Sequence, residues 1–211
     1  MQPLAVSAGI NHMHRYYGRA SRRGSPSPEQ TPFRCDGYLA AGVIHDAGGR
    51  AILLSELPPF LRALLVTDGT VTKILEAYFW EPVGVDTLEQ RFASAEAPVP
   101  WIDVAVGDRC LIRDARLRGI HSGRVFAEAF SLIRTELIPA DFRRRLIDRE
   151  IGIGALIRDS GLESYREVLD VGLDADGLDG GSVFRTYRIV IARRPVILIT
   201  EHFPMRLYRE V

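Results

Sequence analysis

The sequence predicts an α+β domain built on a single antiparallel sheet, with helices on one side of that sheet. Apolar and polar residues alternate over several segments, and two pairs of these segments are joined by short turns, as in β-hairpins. The helical segments are short and do not alternate regularly with strands, as a parallel sheet would require. With 211 residues, of which 46% are hydrophobic, the chain is long enough for one substantial core.

Composition and charge exclude several classes of protein. Lys+Arg and Asp+Glu both number 27, so the net charge does not indicate a nucleic-acid partner. No apolar run approaches the ~18 residues of a membrane span, and the N-terminus lacks the pattern of a signal peptide. Cys35 and Cys110 predict neither a disulfide framework nor a zinc site. We therefore expect a cytoplasmic protein, with no membrane partner and no metal, whose oligomeric state is open.

Residues 1–50 and residues 51–211 differ in character. The first range contains the stretch RYYGRASRRGSPSPEQTPFR, which is rich in Arg, Ser, Pro and Gly and has no helical or strand period. We expect this range to be a partly flexible N-terminal extension. The second range has regular patterns throughout, and we expect it to form the domain.

Turn signals divide the domain into predicted elements. Asp68-Gly69 separates the first two helices, and Thr70 is the predicted N-cap of the second. The predicted helices are 60–66, 71–77, 139–150, 154–160 and 163–169. The predicted strands are 77–92, disturbed at Pro82, then the hairpin of 110–118 and 124–133, and a last hairpin of 184–192 and 195–203 with its turn at Arg193-Arg194. Residues 172–181 are predicted to form an acidic, glycine-rich loop.

Two charged side chains are predicted on apolar strand faces. One face of PVILITEHF carries Ile197, Ile199, Glu201 and Phe203, and one face of CLIRDARLR carries Leu111, Arg113, Ala115 and Leu117. A charge among apolar side chains is costly unless it is paired. Arg113 and Glu201 are therefore either a buried ion pair or the polar ends of a ligand pocket.

Backbone amides at two helix starts are further candidates. Gly152-Ile153-Gly154 and Thr70-Val71 each precede or begin a predicted helix, where free amides can bind a carboxylate. An ordinary helix entry explains the same pattern. The pair His12 and His14 has no accompanying ligand set, and the acidic loop does not fit a calcium motif, so no metal site is predicted.

Four segments together resemble the chorismate pyruvate-lyase family, most closely its actinobacterial branch, which makes 4-hydroxybenzoate. These segments are TDGTVTKILEAYF (67–79), AEAFSLIRTELIP (127–139), GIGALIRDSGLESYREV (152–168) and RTYRIVIARRPVILITEHFP (185–204). The resemblance covers roughly residues 55–205 in order, with similar spacings. The terminal hairpin that ends in T-E-H-F is its most specific part.

The resemblance implies a carbon–oxygen lyase that converts chorismate into 4-hydroxybenzoate and pyruvate without a metal or organic cofactor. It also implies that two helical flaps cover a buried ligand pocket. The family's carboxylate-binding arginine falls on Arg113 and its essential glutamate on Glu201. Two ligand-binding backbone amides fall on Val71 and Ile153.

Two alternatives remain open beside this interpretation. The lyase fold can serve another carboxylate-bearing substrate, or a cyclisation, in specialised polyketide-like metabolism. The fold can also form a non-catalytic protein that binds an aromatic acid, because function depends on the site rather than on the fold.

Overall fold

A computed structural model describes residues 43–45, 51–148, 152–174 and 181–208. In these ranges the chain forms eight strands: β1 Val43–His45, β2 Ala51–Leu53, β3 Val83–Ser94, β4 Arg109–Gly119, β5 Val125–Ile133, β6 Ser164–Asp174, β7 Ser182–Ile191 and β8 Arg194–Pro204. It also forms four α-helices: α1 Pro59–Val66, α2 Val71–Phe79, α3 Ala140–Ile147 and α4 Ile153–Ser160. None of the helices described here is long and apolar enough to cross a membrane.

Six of the strands form one antiparallel sheet in the order β3-β4-β5-β8-β7-β6. The remaining two, β1 and β2, pair with each other as a small separate hairpin. The predicted α+β class with an antiparallel sheet is confirmed. The hairpin predicted over 110–118 and 124–133 is confirmed as β4 and β5.

The four helices pack on one face of the six-stranded sheet. The first two helices form an apolar cluster with this face, in which Leu75 of α2 lies with Phe203 of β8. The last two form a second cluster, in which Leu156 of α4 lies with Ile197 of the same strand. Since Phe203 and Ile197 are both odd-numbered residues of β8, both clusters lie on the same side.

The opposite face is covered by the segment 95–104, which contains a short 3₁₀ helix, Pro100–Ile102. Trp101 of this segment lies in an apolar cluster with Ile112, Leu132 and Leu198 from three neighbouring strands. The described part of the sheet is therefore covered on both faces.

The segment 163–169 was predicted as a helix, and this prediction is wrong. Residues from Ser164 to Asp174 form strand β6, which pairs along its length with β7. A register shift between Val168 and Asp170 breaks the two-residue alternation that identifies a strand. Pairing with β7 decides the structure, because local propensity is weak against tertiary context.

The start of the segment 77–92 was predicted as strand but belongs to helix α2, which continues to Phe79. Aromatic side chains of α2 stabilise its last turn by stacking on neighbouring elements. Tyr78 stacks on Phe60 at 3.7 Å between ring centroids, and Phe79 stacks on Phe126 at 3.9 Å. The helix ends where Trp80 adopts a left-handed conformation, with φ of 56°.

Several sequence predictions fall on residues outside the described ranges. These include most of the N-terminal extension, with His12, His14 and Cys35, and the middle of the acidic loop. That loop is also shorter than predicted, since Gly172–Asp174 belong to β6. Among the described residues, no three His, Cys, Asp or Glu side chains come together as a metal site would need.

Candidate active site

Small side chains form the floor of the candidate site on the helical face of the sheet. Strand register places Arg113 beside Ser131 and, one row further along, Ala115 beside Ala129 and Ala129 beside Glu201. The next row on the Arg113 side carries the large residues Leu111, Ile133 and Ile197. The alanines and the serine leave space above the sheet that a larger side chain would occupy.

A cavity of about 400 Å³ lies above this floor. This volume lies within the range of small-molecule sites. Arg113 and Glu201 both line the cavity, as do Val71 and Ile153 at the starts of α2 and α4. The structure thus brings together all four residues that were predicted for the site.

Arg113 and Glu201 face the cavity from two different strands. They stand on β4 and β8, with β5 between them, and differ by one row, so their Cα atoms are roughly 12 Å apart. The Arg113 side chain is buried at 3% exposure. Its Nη2 donates to the Thr87 hydroxyl at 2.8 Å. Thr87 lies beside a bulge in β3, where the strand register shifts.

Glu201 has two donors on strand β7. Its Oε2 accepts from Arg185 Nε at 2.9 Å, and its Oε1 accepts from the Tyr187 hydroxyl at 3.2 Å. The sequence left open a buried ion pair between Arg113 and Glu201. The ion pair that the structure shows for Glu201 is with Arg185.

Arg185 connects Glu201 to the segment that precedes helix α2. Its side chain is fully buried, and its Nη1 donates to the Thr67 carbonyl at 2.6 Å. Its Nη2 is buried with no hydrogen-bond partner among the described residues. The guanidinium also lies over the Tyr187 ring, 4.7 Å from the centroid. Arg185 therefore holds both the carboxylate and the hydroxyl in place.

Burial, and next the charge of Glu201, raises the pKa of Tyr187 far above its ordinary value. The phenol consequently stays protonated at neutral pH. A protonated Tyr187 can only donate to the Glu201 carboxylate at this contact, so Glu201 keeps the role of acceptor.

Arg185 was not predicted as a site residue, because the register of the last hairpin was predicted wrongly. The predicted turn at Arg193-Arg194 would place Thr186 opposite Glu201 in the hairpin. The turn lies one residue earlier, where Ala192 and Arg193 have φ of 48° and 63°. A turn displaced by one residue would alone place Phe184 opposite Glu201, and the register shift between Ile189 and Val190 places Arg185 there instead. Neither turn residue is the glycine or asparagine that usually indicates this backbone conformation.

The starts of helices α2 and α4 both line the cavity and lack side-chain caps. Thr70 occupies the predicted N-cap position of α2, but neither it nor Gly152 of α4 makes a capping hydrogen bond through its side chain. Uncapped amides and the helix dipole favour an anion at such ends. A Cβ on Gly152 would lie 3.1 Å from Val85 of β3, so glycine lets α4 approach the sheet closely.

Further charged groups lie around the cavity. Lys73 pairs with Glu76 at 2.6 Å, and Arg158 pairs with its neighbour Asp159 at 2.9 Å. Arg166, on β6, donates from Nη1 to the backbone carbonyl of the turn before α2 at 2.9 Å. Positive groups therefore outnumber negative ones around the cavity, which suits an anionic ligand.

Fold and site together define an α+β protein with a small cavity on one face of an antiparallel sheet, lined by more basic than acidic side chains. A family model described as Chorismate pyruvate-lyase Rv2949c-like matches residues 65–210. The chain belongs to this family and is thereby an enzyme of the carbon–oxygen lyase class. The resemblance predicted from the sequence motifs is confirmed.

Two curated relatives agree with this assignment. The chorismate pyruvate-lyase of Mycobacterium leprae is 31% identical over 160 residues, covering 71% of this chain and 76% of that protein. The chorismate pyruvate-lyase of Mycobacterium tuberculosis H37Rv is 29% identical over 164 residues, covering 71% and 82%. The crystal structure of the PhnF effector domain from Mycobacterium smegmatis is similar with a TM-score of 0.49 at 17% identity, covering 64% of this chain and 88% of that one. At that score the likeness bears on no functional assignment.

Proposed function

We propose that this enzyme eliminates pyruvate from chorismate and releases 4-hydroxybenzoate. The observation that carries the proposal is the placement of Arg113 and Glu201 at two ends of one small cavity, over a floor of small side chains. Family membership supports the reaction type. The two uncapped helix starts support an anionic substrate.

Arg113 binds the ring carboxylate of chorismate in this proposal. Its planar guanidinium can hold a carboxylate with two parallel, charge-assisted hydrogen bonds, which are strong in a site that excludes water. The Val71 and Ile153 amides donate to the ligand from the two helix starts. Glu201 accepts a hydrogen bond from the 4-hydroxyl group, and Arg185 and Tyr187 hold its carboxylate in position.

The reaction needs orientation more than a strong catalytic group. The ether C–O bond of the enolpyruvyl side chain breaks, and its electron pair leaves with the oxygen. The ring loses one proton and becomes aromatic, while the departing enol or enolate gains a proton and becomes pyruvate. Since aromatisation drives the reaction, the enzyme contributes mainly positioning, desolvation and stabilisation of the departing anion.

Helices α2 and α4 are the proposed flaps over the ligand. Each begins at the cavity, and each is connected to the rest of the domain by a glycine-containing segment that precedes it. We place the whole reaction within the domain of residues 51–211 and in the cytoplasm, with a small-molecule substrate and no nucleic-acid partner.

The test is turnover of chorismate by the purified full-length protein, with 4-hydroxybenzoate and pyruvate both quantified by chromatography. We expect equal amounts of the two products. Glu201→Gln removes the charge but keeps the shape, and we expect it to lose most activity, whereas Glu163→Gln, an exposed glutamate away from the cavity, keeps it. Circular dichroism verifies that each variant is folded.

A folded wild-type protein that makes neither product would contradict the proposal. Tight binding of 4-hydroxybenzoate without turnover would then favour the non-catalytic binding protein. Turnover of a different carboxylate substrate would favour the enzyme of specialised metabolism.

A further inference from the structure

Arg166, one of the cations that line the cavity, forms no ion pair with a carboxylate of the described part of the chain. Six charged side chains line the cavity: Lys73, Glu76, Arg113, Arg158, Arg166 and Glu201. Ion pairs neutralise Lys73, Arg158 and Glu201, as described above. Arg166 donates to a neutral group, the Asp68 carbonyl, and no described carboxylate pairs with it.

Arg166 approaches the cavity from the side opposite Arg113. It lies on the edge strand β6, where it pairs in register with Ile189. Ile189 lines the cavity, so Arg166 is on the helical face of the sheet. Strand β4, which carries Arg113, lies on the other side of β8 in the sheet order. In the sheet order, the two arginines therefore lie on opposite sides of β8, the strand that carries Glu201.

The Arg166 guanidinium lies next to both helix starts. Its Nη1 contacts the turn that precedes α2, and its Nη2 would lie 3.9 Å from a Cβ built on Gly154 of α4. Partial positive charges of the two helix dipoles add to the arginine charge at this place. A partly buried cation in such surroundings is unfavourable unless an anion joins it.

A substrate with one carboxylate, bound at Arg113, leaves this second positive region without an anion. Chorismate has two carboxylates: one on the ring and one on the enolpyruvyl side chain that leaves as pyruvate. The separation of the two arginines across the cavity matches a ligand with anionic groups at two ends. The product 4-hydroxybenzoate has only the ring carboxylate and needs only Arg113.

We propose that Arg166 binds the second carboxylate of the substrate, the one on the side chain that leaves. This inference rests on the proposed lyase function and deepens it. Arg166 thereby distinguishes dianionic substrates from monoanionic products, and it holds the departing fragment at the helix starts while the C–O bond breaks. It is a specificity-determining residue in addition to Arg113 and Glu201.

A merely structural role for Arg166 makes a different prediction. If Arg166 only ties the turn before α2 to helix α4, its loss weakens all ligands equally. If it binds the second carboxylate, its loss weakens only ligands that have one. A matched pair of ligands separates these two roles.

The ligands are 3-(1-carboxyethoxy)-4-hydroxybenzoate and 3-isopropoxy-4-hydroxybenzoate, which differ in a carboxylate that replaces a methyl group. Their affinities are measured by isothermal titration calorimetry on the wild-type protein and on Arg166→Gln, Arg166→Lys and Arg116→Gln. Arg116 is the matched control, because its guanidinium is half-exposed, pairs with Glu128 and lies on the face of the sheet opposite the cavity.

We expect the wild type to bind the dicarboxylate at least about tenfold more tightly. Arg166→Gln removes that preference and leaves the affinity for the monocarboxylate within about threefold of the wild-type value. Arg166→Lys keeps part of the preference, and Arg116→Gln keeps all of it. The proposal would be overturned by equal weakening of both ligands in Arg166→Gln, by a preference that survives this change, or by a wild type without any preference.

Turnover of chorismate separates this inference from the proposed function. With an active wild type, Arg166→Gln should raise KM for chorismate about tenfold or more while inhibition by 4-hydroxybenzoate stays unchanged. An inactive wild type that still shows the Arg166-dependent preference would contradict the lyase reaction but keep the carboxylate subsite. An active wild type without the preference would keep the reaction and remove Arg166 from the site.

Discussion

Strand β7 has two arginines that face opposite sides of the sheet, and each pairs with a buried glutamate on a neighbouring strand. Arg185 pairs with Glu201 at 2.9 Å on the helical face, and Arg188 pairs with Glu167 at 2.5 Å on the other face. Each guanidinium also donates to a backbone carbonyl of a segment packed over its face. The two pairs are thus almost the same in chemistry.

The surroundings of the two pairs differ. Around Glu201 the sheet presents Ala129 and Ala115, and the space above them is a cavity. On the opposite face the sheet presents Ile112, Leu132 and Leu198, which pack against the segment 95–104. A buried ion pair is by itself weak evidence for a site. The two pairs differ in the space above them: small neighbours leave a cavity on the face of Glu201, whereas large side chains fill the opposite face.

The largest difference in activity between variants on the two faces of the sheet should come from substitution of the arginines of β4. Arg113→Gln removes the group that we propose binds the ring carboxylate, and we expect kcat/KM for chorismate to fall by at least about 100-fold. Arg116 lies on the other face of the same strand and pairs with Glu128 at the surface. Arg116→Gln should therefore retain activity within about threefold. Steady-state kinetics check both values, and equal losses would remove Arg113 from the site.

Breaking either of the two ion pairs of β7 should lower stability, but only the break at Arg185 should also lower activity. Breaking a buried pair from one side leaves an unpaired charge, so Arg185→Gln should lower the free energy of unfolding by about 3–5 kcal/mol. Arg188→Gln should lower it by about 2–3 kcal/mol, because Arg188 is partly exposed. Only Arg185→Gln should also lower kcat/KM, since it releases Glu201.

Urea denaturation and kinetics on the folded fraction measure these two effects. Arg185→Lys keeps a charge beside Glu201 and should recover part of the activity even where Arg185→Gln unfolds. If Arg188→Gln reduced activity per folded molecule as strongly as Arg185→Gln, the assignment of the catalytic face would be wrong.

Removal of two hydroxyl groups on consecutive residues of β7 should give a smaller difference in activity between the two faces. The Tyr187 hydroxyl donates to Glu201, and the Thr186 hydroxyl bonds with Thr200 on the opposite face at 2.8 Å. Tyr187→Phe removes one hydrogen bond to the carboxylate, and we expect kcat/KM to fall about 3- to 10-fold. Thr186→Val should cost about 1 kcal/mol of stability and no activity. An unchanged kcat/KM in Tyr187→Phe would show that Arg185 alone positions Glu201.

Alternation within single strands predicts much of the site. The faces of β4 and β8 follow the two-residue period without interruption near Arg113 and Glu201, so both charges could be placed on the inner face. The strand β6 could not be predicted in this way, because its bulge after Val168 breaks the period. Pairing with a neighbouring strand decides its structure, and that interaction is not local in sequence.

The contacts of Glu201 required information that the sequence pattern does not contain. A two-residue turn displaced by one residue moves each pairing by two positions and keeps the faces of the strand, whereas a bulge that shifts the register by one residue exchanges them. The turn at Ala192 and Arg193 has two left-handed residues without glycine, so its position was predicted one residue too late. The displaced turn and the register shift between Ile189 and Val190 together hid Arg185, which the actual register places directly opposite Glu201.

The smallest effect concerns stability at alkaline pH. The raised pKa of Tyr187 means that the unfolded chain loses its phenolic proton above pH 10.0 while the folded protein keeps it. Above pH 10 the unfolded state binds fewer protons than the folded state. The free energy of unfolding therefore decreases as the pH rises. At pH 11 this loss amounts to about 1 kcal/mol for one such group. Tyr187→Phe should reduce the decrease in stability between pH 9 and pH 11 by about that amount, measured by urea denaturation, whereas Thr186→Val should keep the wild-type decrease. If both variants kept it, the Tyr187 phenol would not be buried against Glu201, and the cavity would be more open to water than the structure shows.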